Sequence, residues 1–153
     1  MRFVVVGDLH LDSRESRVFA QARDELAALQ PEAVVCLGDL GVGAHSGTQQ
    51  SFVEARDYLA SFGASYQVLL GNHDLERLEE FASDRDVVRA FCDVFQFEKP
   101  YRTFPLGPAL AVVLSSTGFR SNRGYRHEIS IDEEQWHWFK QTLEENRARQ
   151  IIV

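Results

Sequence analysis

Residues 68–74 read Val-Leu-Leu-Gly-Asn-His-Asp, a short apolar run that stops at Gly71 and is followed by three polar residues. Such a run, bounded by glycine, is typical of a strand buried inside a parallel sheet. Two earlier segments have the same form. Residues 3–10 read Phe-Val-Val-Val-Gly-Asp-Leu-His, and residues 33–39 read Ala-Val-Val-Cys-Leu-Gly-Asp. The sequence therefore predicts three strands, each followed at once by polar side chains.

Helical patterns separate these strands. Apolar residues recur at helical spacing over 18–29, before Pro31, and again over 52–62, before Gly63. Strands that alternate with helices predict an α/β fold with a parallel sheet, whose ligand crevice lies beyond the carboxyl ends of the strands. One crevice is therefore expected to gather six polar residues: Asp8, His10, Asp39, Asn72, His73 and Asp74.

The second half of the chain is less regular. Residues 75–93 predict a helix, whereas 95–104 and 110–114 predict strands. A polar loop is expected over 115–129. Ser130 and Glu133 have the spacing of a capping box, which predicts a helix with Trp136, Phe139 and Leu143 on its core face. Residues 151–153 begin another apolar run.

Composition limits the possible partners. A chain of 153 residues that is 44% hydrophobic predicts one folded domain. The net charge of −7 disfavours nucleic acid, because such binding relies on basic residues, but bound cations would still allow a small phosphorylated substrate. Cys36 and Cys92 lack CxxC spacing and are predicted to be reduced core residues. No signal or membrane segment is visible, so a cytoplasmic protein without membrane contact is expected.

The polar residues after the strands suit transition-metal ions. In an extended segment Asp8 and His10 would point the same way and reach one cation. Asp39 could bridge two cations, and Asn72 adds an amide oxygen. Mixed oxygen and nitrogen donors favour Mn, Fe, Zn or Co. Two such divalent ions, roughly 3.5–4 Å apart, can activate a water and clamp a phosphoryl group.

His73 and Asp74 complete the predicted site. His73 beside the ions would be the general acid for the leaving oxygen, and Asp74 would orient His73 or help to place the loop. Each residue alone has an ordinary explanation, such as a turn aspartate, a surface histidine or a Gly-Asn turn. Their occurrence together, at the ends of three successive strands, favours the site.

The series Asp-Leu-His at 8–10, Gly-Asp at 38–39 and Gly-Asn-His-Asp at 71–74 resembles the calcineurin-like metallophosphoesterase superfamily over roughly the first 80 residues. The resemblance implies a four-layer α-β-β-α sandwich and hydrolysis of phosphomonoesters or phosphodiesters. It also implies that Asp8 and His10 bind one ion and that Asn72 binds the second. Asp39 would then bridge the two ions, and His73 would be the acid.

The sequence departs from the family pattern in two places. Many members carry an acidic residue at the position of Val42, where it supports the acid histidine. The later histidine motifs that complete both metal shells are absent, so residues 1–153 are expected to be a domain incomplete at its C-terminus. Weak metal binding, no activity and self-association through an incomplete sheet are expected of such a chain.

Other residues of the chain are candidates to replace the missing metal ligands. His45 and His127 lie in loops and His137 on the last helix, where solvated positions are the simpler interpretation. Arg120, Arg123 and Arg126 form a basic loop that could bind a substrate phosphate, although such loops are more often only solvated. Two functions stay open: a metal-dependent phosphoesterase, and a non-catalytic scaffold or interaction module of the same fold.

Overall fold

The computed structural model describes residues 2–76, 80–116, 118–119 and 129–153. The chain divides into two compact units, Met1–Glu98 and Lys99–Val153. The described residues contain no helix that is both long and apolar enough to cross a membrane.

The first unit is an α/β unit with a parallel sheet, as predicted. Its strands are β1 (Phe3–Val6), β2 (Ala33–Cys36) and β3 (Ser65–Val68), hydrogen-bonded in the order β1-β2-β3. Phe3 lies opposite Ala33, and Ala33 lies opposite Ser65, so the strands run in register and all three end at the same edge. The predicted convergence of the strand ends is therefore confirmed.

Three helices belong to this unit: α1 (Ser16–Ala27), α2 (Gln49–Ala60) and α3 (Asp84–Phe95). Helix α2 begins at a capping box in which Thr48 and Ser51 each bind the other's backbone N–H. At the start of α3 the side chain of Ser83 accepts from the Asp86 N–H. Both helices therefore begin at side chains that satisfy otherwise free backbone donors.

The core of the first unit lies around the central strand. All four residues of β2 are buried, and Val34 and Cys36 are fully so. Helices α2 and α3 contribute Phe52 and Phe91, whose rings pack edge to face at 5.7 Å. Cys36 and Cys92 are both buried in this core, as predicted.

Strand β1 was predicted to be buried on both faces, and this is wrong. Phe3 is 42% exposed and Val5 is 52% exposed. Strand β1 is an edge strand with a neighbour on one side only, whereas β2 is central. A run of valines does not distinguish these two positions, because both favour β-branched residues.

The described residues of the second unit form a three-stranded mixed sheet and one helix. Strands β4 (Arg102–Leu106), β5 (Ala109–Val113) and β6 (Ile151–Ile152) pair in that order, the first pair antiparallel and the second parallel. All of β5 is buried, and Pro105 lies on the edge strand β4, where its missing N–H is tolerated. Helix α4 spans Glu133–Glu145.

Several predicted boundaries in the chain are wrong. Strand β3 precedes the predicted 68–70, and 75–93 is not one helix, since α3 begins at Asp84. Helix α3 also includes Phe95, where a strand was expected. Helix α4 is capped by Asp132, whose carboxylate accepts from the Gln135 N–H, rather than by Ser130. The ends of these strands and helices depend on turn and cap geometry, which the spacing of apolar residues does not reveal.

The predicted core face of α4 also needs correction. Trp136 is 46% exposed, whereas the buried positions of the helix are Gln135 and Thr142. The Gln135 amide accepts from the Ser115 N–H (2.7 Å) and donates to the Ser115 carbonyl (2.9 Å). The helix therefore buries an amide that satisfies the backbone after β5, which a search for apolar residues misses.

Candidate metal centre

The segments after β1 and β2 continue the pairing of those strands. The Leu9 N–H donates to the Gly38 carbonyl (3.2 Å), the His10 N–H to the Asp39 carbonyl (2.7 Å) and the Leu11 N–H to the Leu40 carbonyl (2.9 Å). These bonds hold the two segments side by side beyond the end of the sheet. The candidate ligands of the two segments are thus fixed by backbone contacts.

The backbone at the candidate ligands is unusual. Asp8, His10 and Asp39 have φ angles of 40°, 41° and 52°, in the left-handed region that non-glycine residues rarely adopt. The prediction that Asp8 and His10 share an extended segment is therefore wrong. Strained residues of this kind persist where surrounding contacts over-determine them, and they cluster at functional sites.

The turns after β2 and β3 approach each other very closely. A Cβ atom added to Gly38, whose φ is 101°, would overlap the backbone of Gly71. A Cβ atom added to Gly71 would overlap the backbone and carboxylate of Asp39. The two glycines are therefore required for the approach that places the Asp39 carboxylate against the Gly71 turn.

Asp74 holds these two turns together. Its side chain is completely buried, and its two oxygens accept from three backbone N–H groups. Asp39 and Gly71 donate to Oδ2, both at 2.9 Å, and Leu40 donates to Oδ1 at 2.8 Å. Burial raises the pKa of Asp74 to about 6, although the three backbone hydrogen bonds act in the opposite direction and lower the pKa.

Asp74 was predicted either to orient His73 or to place the loop, and its observed contacts are those expected of the second role. The hydrogen bonds of its carboxylate go to the backbone of the two turns and not to the His73 ring. The carboxylate of Asp74 therefore positions the backbone of the two turns, and its catalytic role stays a prediction. The sequence motif located the residue but did not reveal its contacts.

Asp39 presents a buried carboxylate to the crevice. The residue is 7% exposed, and its Oδ1 accepts from the His73 backbone N–H at 2.9 Å. No hydrogen bond from the described residues reaches the other oxygen, Oδ2. A buried carboxylate oxygen without a donor is unfavourable unless a cation or water compensates it. This oxygen therefore marks a position suited to a cation.

His10 has the geometry of a metal-binding histidine. Its Nδ1–H donates to the Gly41 carbonyl at 3.2 Å, which leaves Nε2 free to coordinate. Histidine ligands in proteins usually donate their other ring nitrogen in this way. The His10 ring lies edge to face with the His73 ring, with centroids 5.4 Å apart.

His10, Asp39 and His73 form one compact group. Each offers a donor atom, and these atoms all lie within 4.8 Å of one another. Donors bound to one ion at about 2.1 Å can be no more than roughly 4.2 Å apart. The group is therefore of the size needed to surround an ion with little movement. Sequence reasoning had assigned His73 only as an acid.

The other two predicted ligands are placed differently. Asp8 is exposed and is not a member of this group. Asn72 is also exposed, and its Nδ2 donates over 3.5 Å to Glu76. The amide oxygen of Asn72 is thereby directed away from that carboxylate. Both residues lie at the same sheet edge as the group, at the ends of β1 and β3.

The residue that sequence reasoning missed is Glu76. The His73 Nδ1–H donates to Glu76 Oε2 at 2.7 Å, within the short 3-10 helix His73–Leu75 and its C-cap. Burial lowers the pKa of His73, but the hydrogen bond and charge of Glu76 outweigh it, and the net pKa is raised. The signal in the sequence is that Glu76 follows His73 by three residues. This spacing becomes informative only when the 3-10 turn His73–Leu75 is known.

The remaining candidates fall outside the group. His45 is exposed, at the end of the 3-10 helix Gly43–His45, and exposed His137 has Nδ1 2.7 Å from the Glu133 carbonyl on α4. Both positions agree with the solvated interpretation. Arg120, Arg123, Arg126 and His127 lie outside the described residues, so their predicted roles stay predictions.

The donor set fits a divalent transition-metal ion. It combines a free imidazole nitrogen on His10 with an uncompensated carboxylate oxygen on Asp39, and His73 adds a second ring. Imidazole with carboxylate suits Mn, Fe, Zn or Co better than Ca. The residues present thus fit such an ion.

Comparison with known proteins gives one positive result. A family model described as calcineurin-like phosphoesterase matches residues 1–153, which is the whole chain. No curated protein matches the sequence.

Proposed function

The chain belongs to the calcineurin-like phosphoesterase family, and from this premise we propose that it is a metal-dependent phosphoesterase that hydrolyses a phosphomonoester or a phosphodiester. The observation that carries the proposal is the buried Asp39 carboxylate, which has one oxygen that receives no hydrogen bond from the described residues and a donor atom within 4.8 Å of donor atoms on His10 and His73. A scaffold of the same fold has no use for such an oxygen, because an unpaired buried carboxylate is destabilising.

The proposed ligand assignment places two divalent ions at the edge of the parallel sheet. Asp8 and His10 would hold the first ion, Asn72 the second, and Asp39 both. When bound, the ions would supply Lewis-acid chemistry and neutralise charge on the phosphoryl group. Asp8 and Asn72 are exposed and free to adjust, whereas Asp39 and Asp74 are fixed by backbone hydrogen bonds.

His73 is the proposed general acid. Its Nδ1–H is engaged by Glu76, so the acid form is the imidazolium, whose second proton lies on Nε2 and can pass from there to the leaving oxygen. The backbone of His73 is also held in place. Its backbone N–H donates to the Asp39 carboxylate, and its backbone carbonyl accepts from the Ser46 hydroxyl at 2.9 Å. The acid is therefore tied to the same carboxylate that would bridge the ions.

Three further features belong to this proposal. The substrate is a small phosphorylated molecule, in keeping with the net charge of −7. The four-layer sandwich is the arrangement that the family resemblance implies. A cytoplasmic location and self-association are expectations from the sequence alone.

Replacement of His73 by asparagine tests the acid role. In an active form of the protein, we expect turnover of an alkyl phosphodiester to fall by on the order of 10²–10⁴-fold, because the alkoxide must be protonated as it leaves. Turnover of bis(4-nitrophenyl) phosphate should fall much less, since nitrophenolate leaves without a proton. Initial rates of both esters in excess Mn²⁺, with and without a chelator, are the measurement.

His137→Asn is the matched control, because it makes the same change on an exposed face of α4. It should leave both rates unchanged. An equal loss for the two esters in His73→Asn would contradict the acid role and indicate that His73 is a metal ligand. Turnover by the unmodified chain that survives chelation would contradict the proposed metal dependence.

A further inference from the structure

We infer that Glu76 is a positioning residue that holds both the acid imidazole of His73 and the side-chain amide of Asn72. This inference rests on the proposed function, because it assigns the partner of the proposed acid. One carboxylate makes both contacts: Oε2 accepts from His73 Nδ1 at 2.7 Å, and Oε1 accepts from Asn72 Nδ2 at 3.5 Å.

The first contact fixes the His73 ring. A carboxylate only accepts hydrogen bonds, so the proton of a neutral His73 ring must lie on Nδ1. Nε2 is then unprotonated in the neutral ring, and the proton that the acid donates is the one that Nε2 gains when the ring becomes an imidazolium. Without the carboxylate both tautomers are accessible, and the ring is free to rotate about its side-chain bonds.

The second contact orients the Asn72 amide. Because its NH₂ group is directed at Glu76, its carbonyl oxygen is directed elsewhere and can serve an ion. At 3.5 Å this hydrogen bond is long, so it selects an orientation rather than holding the amide tightly. Glu76 thus links the proposed acid to a proposed ligand on the same turn.

The location of the pair favours this role over a structural one. The side chains of His73 and Glu76 are 45% and 47% exposed. Exposed ion pairs contribute little to stability, so the fold does not depend on this one. Glu76 supplies its carboxylate to His73 from the same turn, three residues along the chain.

The test begins with the metal-free chain, so that it does not depend on activity. Ring ¹⁵N spectra of the chain, at a pH above the pKa of His73, report which ring nitrogen carries the proton. The His73 signals are assigned by their loss in His73→Asn. We expect the Nδ1–H form in the unmodified chain and a mixture of tautomers in Glu76→Ala. Glu25→Ala, which removes an exposed carboxylate on α1, is the control and should change nothing.

Unchanged signals of the other histidines in Glu76→Ala would show that the chain is still folded. The Nε2–H form in the unmodified chain, or the same tautomer with and without Glu76, would overturn the inference.

A kinetic measurement then connects Glu76 to the reaction. With Mn²⁺ present, Glu76→Ala should lower kcat for an alkyl phosphodiester by on the order of 10–100-fold, as the loss of an outer partner usually does. Glu76→Asp should recover part of the rate, and bis(4-nitrophenyl) phosphate should be affected least. Equal loss for both esters would overturn the link to the acid. If no ester were hydrolysed but the tautomer depended on Glu76, the positioning role would stand and the proposed function would fail.

Discussion

Replacing Asp74 by alanine is expected to lower the free energy of unfolding of the chain by roughly 3–5 kcal/mol, the largest effect of any single change at the site. The variant would leave three buried backbone N–H groups, those of Asp39, Leu40 and Gly71, without their acceptor. Each unsatisfied buried donor costs about 1–3 kcal/mol, although water entering the space would offset part of the loss.

Asp74→Asn should be less damaging because it keeps the shape and one acceptor oxygen. Asp57→Ala is the control, since among the described residues that exposed carboxylate on α2 pairs with Arg56 alone, and its loss should change stability by less than about 0.5 kcal/mol. Urea unfolding in the presence of a chelator measures these differences without a contribution from metal ions. We expect a loss of roughly 3–5 kcal/mol in Asp74→Ala. A free energy of unfolding within about 1 kcal/mol of that of the unmodified chain would contradict the proposed role of Asp74 in holding the two turns together.

Replacing Asp39 by alanine is expected to lower the affinity for Mn²⁺ by more than about 100-fold, which exceeds the usual effect of outer-sphere partners. The carboxylate is proposed to serve both ions, whereas Asn72 serves one. Asn72→Ala should therefore lose one ion and keep the other. Calorimetric titration of the metal-free variants would give both affinity and stoichiometry.

Asp39→Asn separates metal binding from structure. Its amide oxygen can still accept from the His73 N–H, which holds the turn, but its charge is lost. We expect this variant to unfold like the unmodified chain and to bind Mn²⁺ as weakly as Asp39→Ala. Near-normal occupancy by two ions in either Asp39 variant would refute the bridging role.

The sequence alone predicted which residues meet at one edge of the sheet. Short apolar runs that stop at Gly7, Gly38 and Gly71 favour a parallel sheet, and neighbouring parallel strands have their carboxyl ends at the same edge. The polar residues after them were therefore brought to one edge by topology, without any knowledge of side-chain contacts.

The details of the site could not be predicted in the same way. Asp74 accepts from backbone groups as many as 35 positions away, and such contacts leave no pattern in the sequence. The pairing of Glu76 with His73 depends on the 3-10 turn His73–Leu75, which begins before the helix predicted over 75–93. Asp and His adopt the left-handed region more often than most non-glycine residues, but residue type alone does not show that Asp8 and His10 do so here.

The exposure of β1 also escaped prediction. A run such as Phe3–Val6 has the composition of a central strand, and only the observed strand order shows that it lies at an edge. Residue type reports that a strand exists more reliably than it reports which faces are covered.

The measurement that tests the metal centre most directly is a Mn²⁺ titration of the chain followed by the NMR signals of its histidine rings. Paramagnetic Mn²⁺ broadens nearby nuclei first, so weak binding is also detected. The geometry predicts that the signals of His10 and His73 disappear well before those of His45 and His137, and that Asp39→Ala abolishes this order. Uniform broadening of all the rings, or selective broadening that persists in Asp39→Ala, would contradict a metal centre at the strand ends.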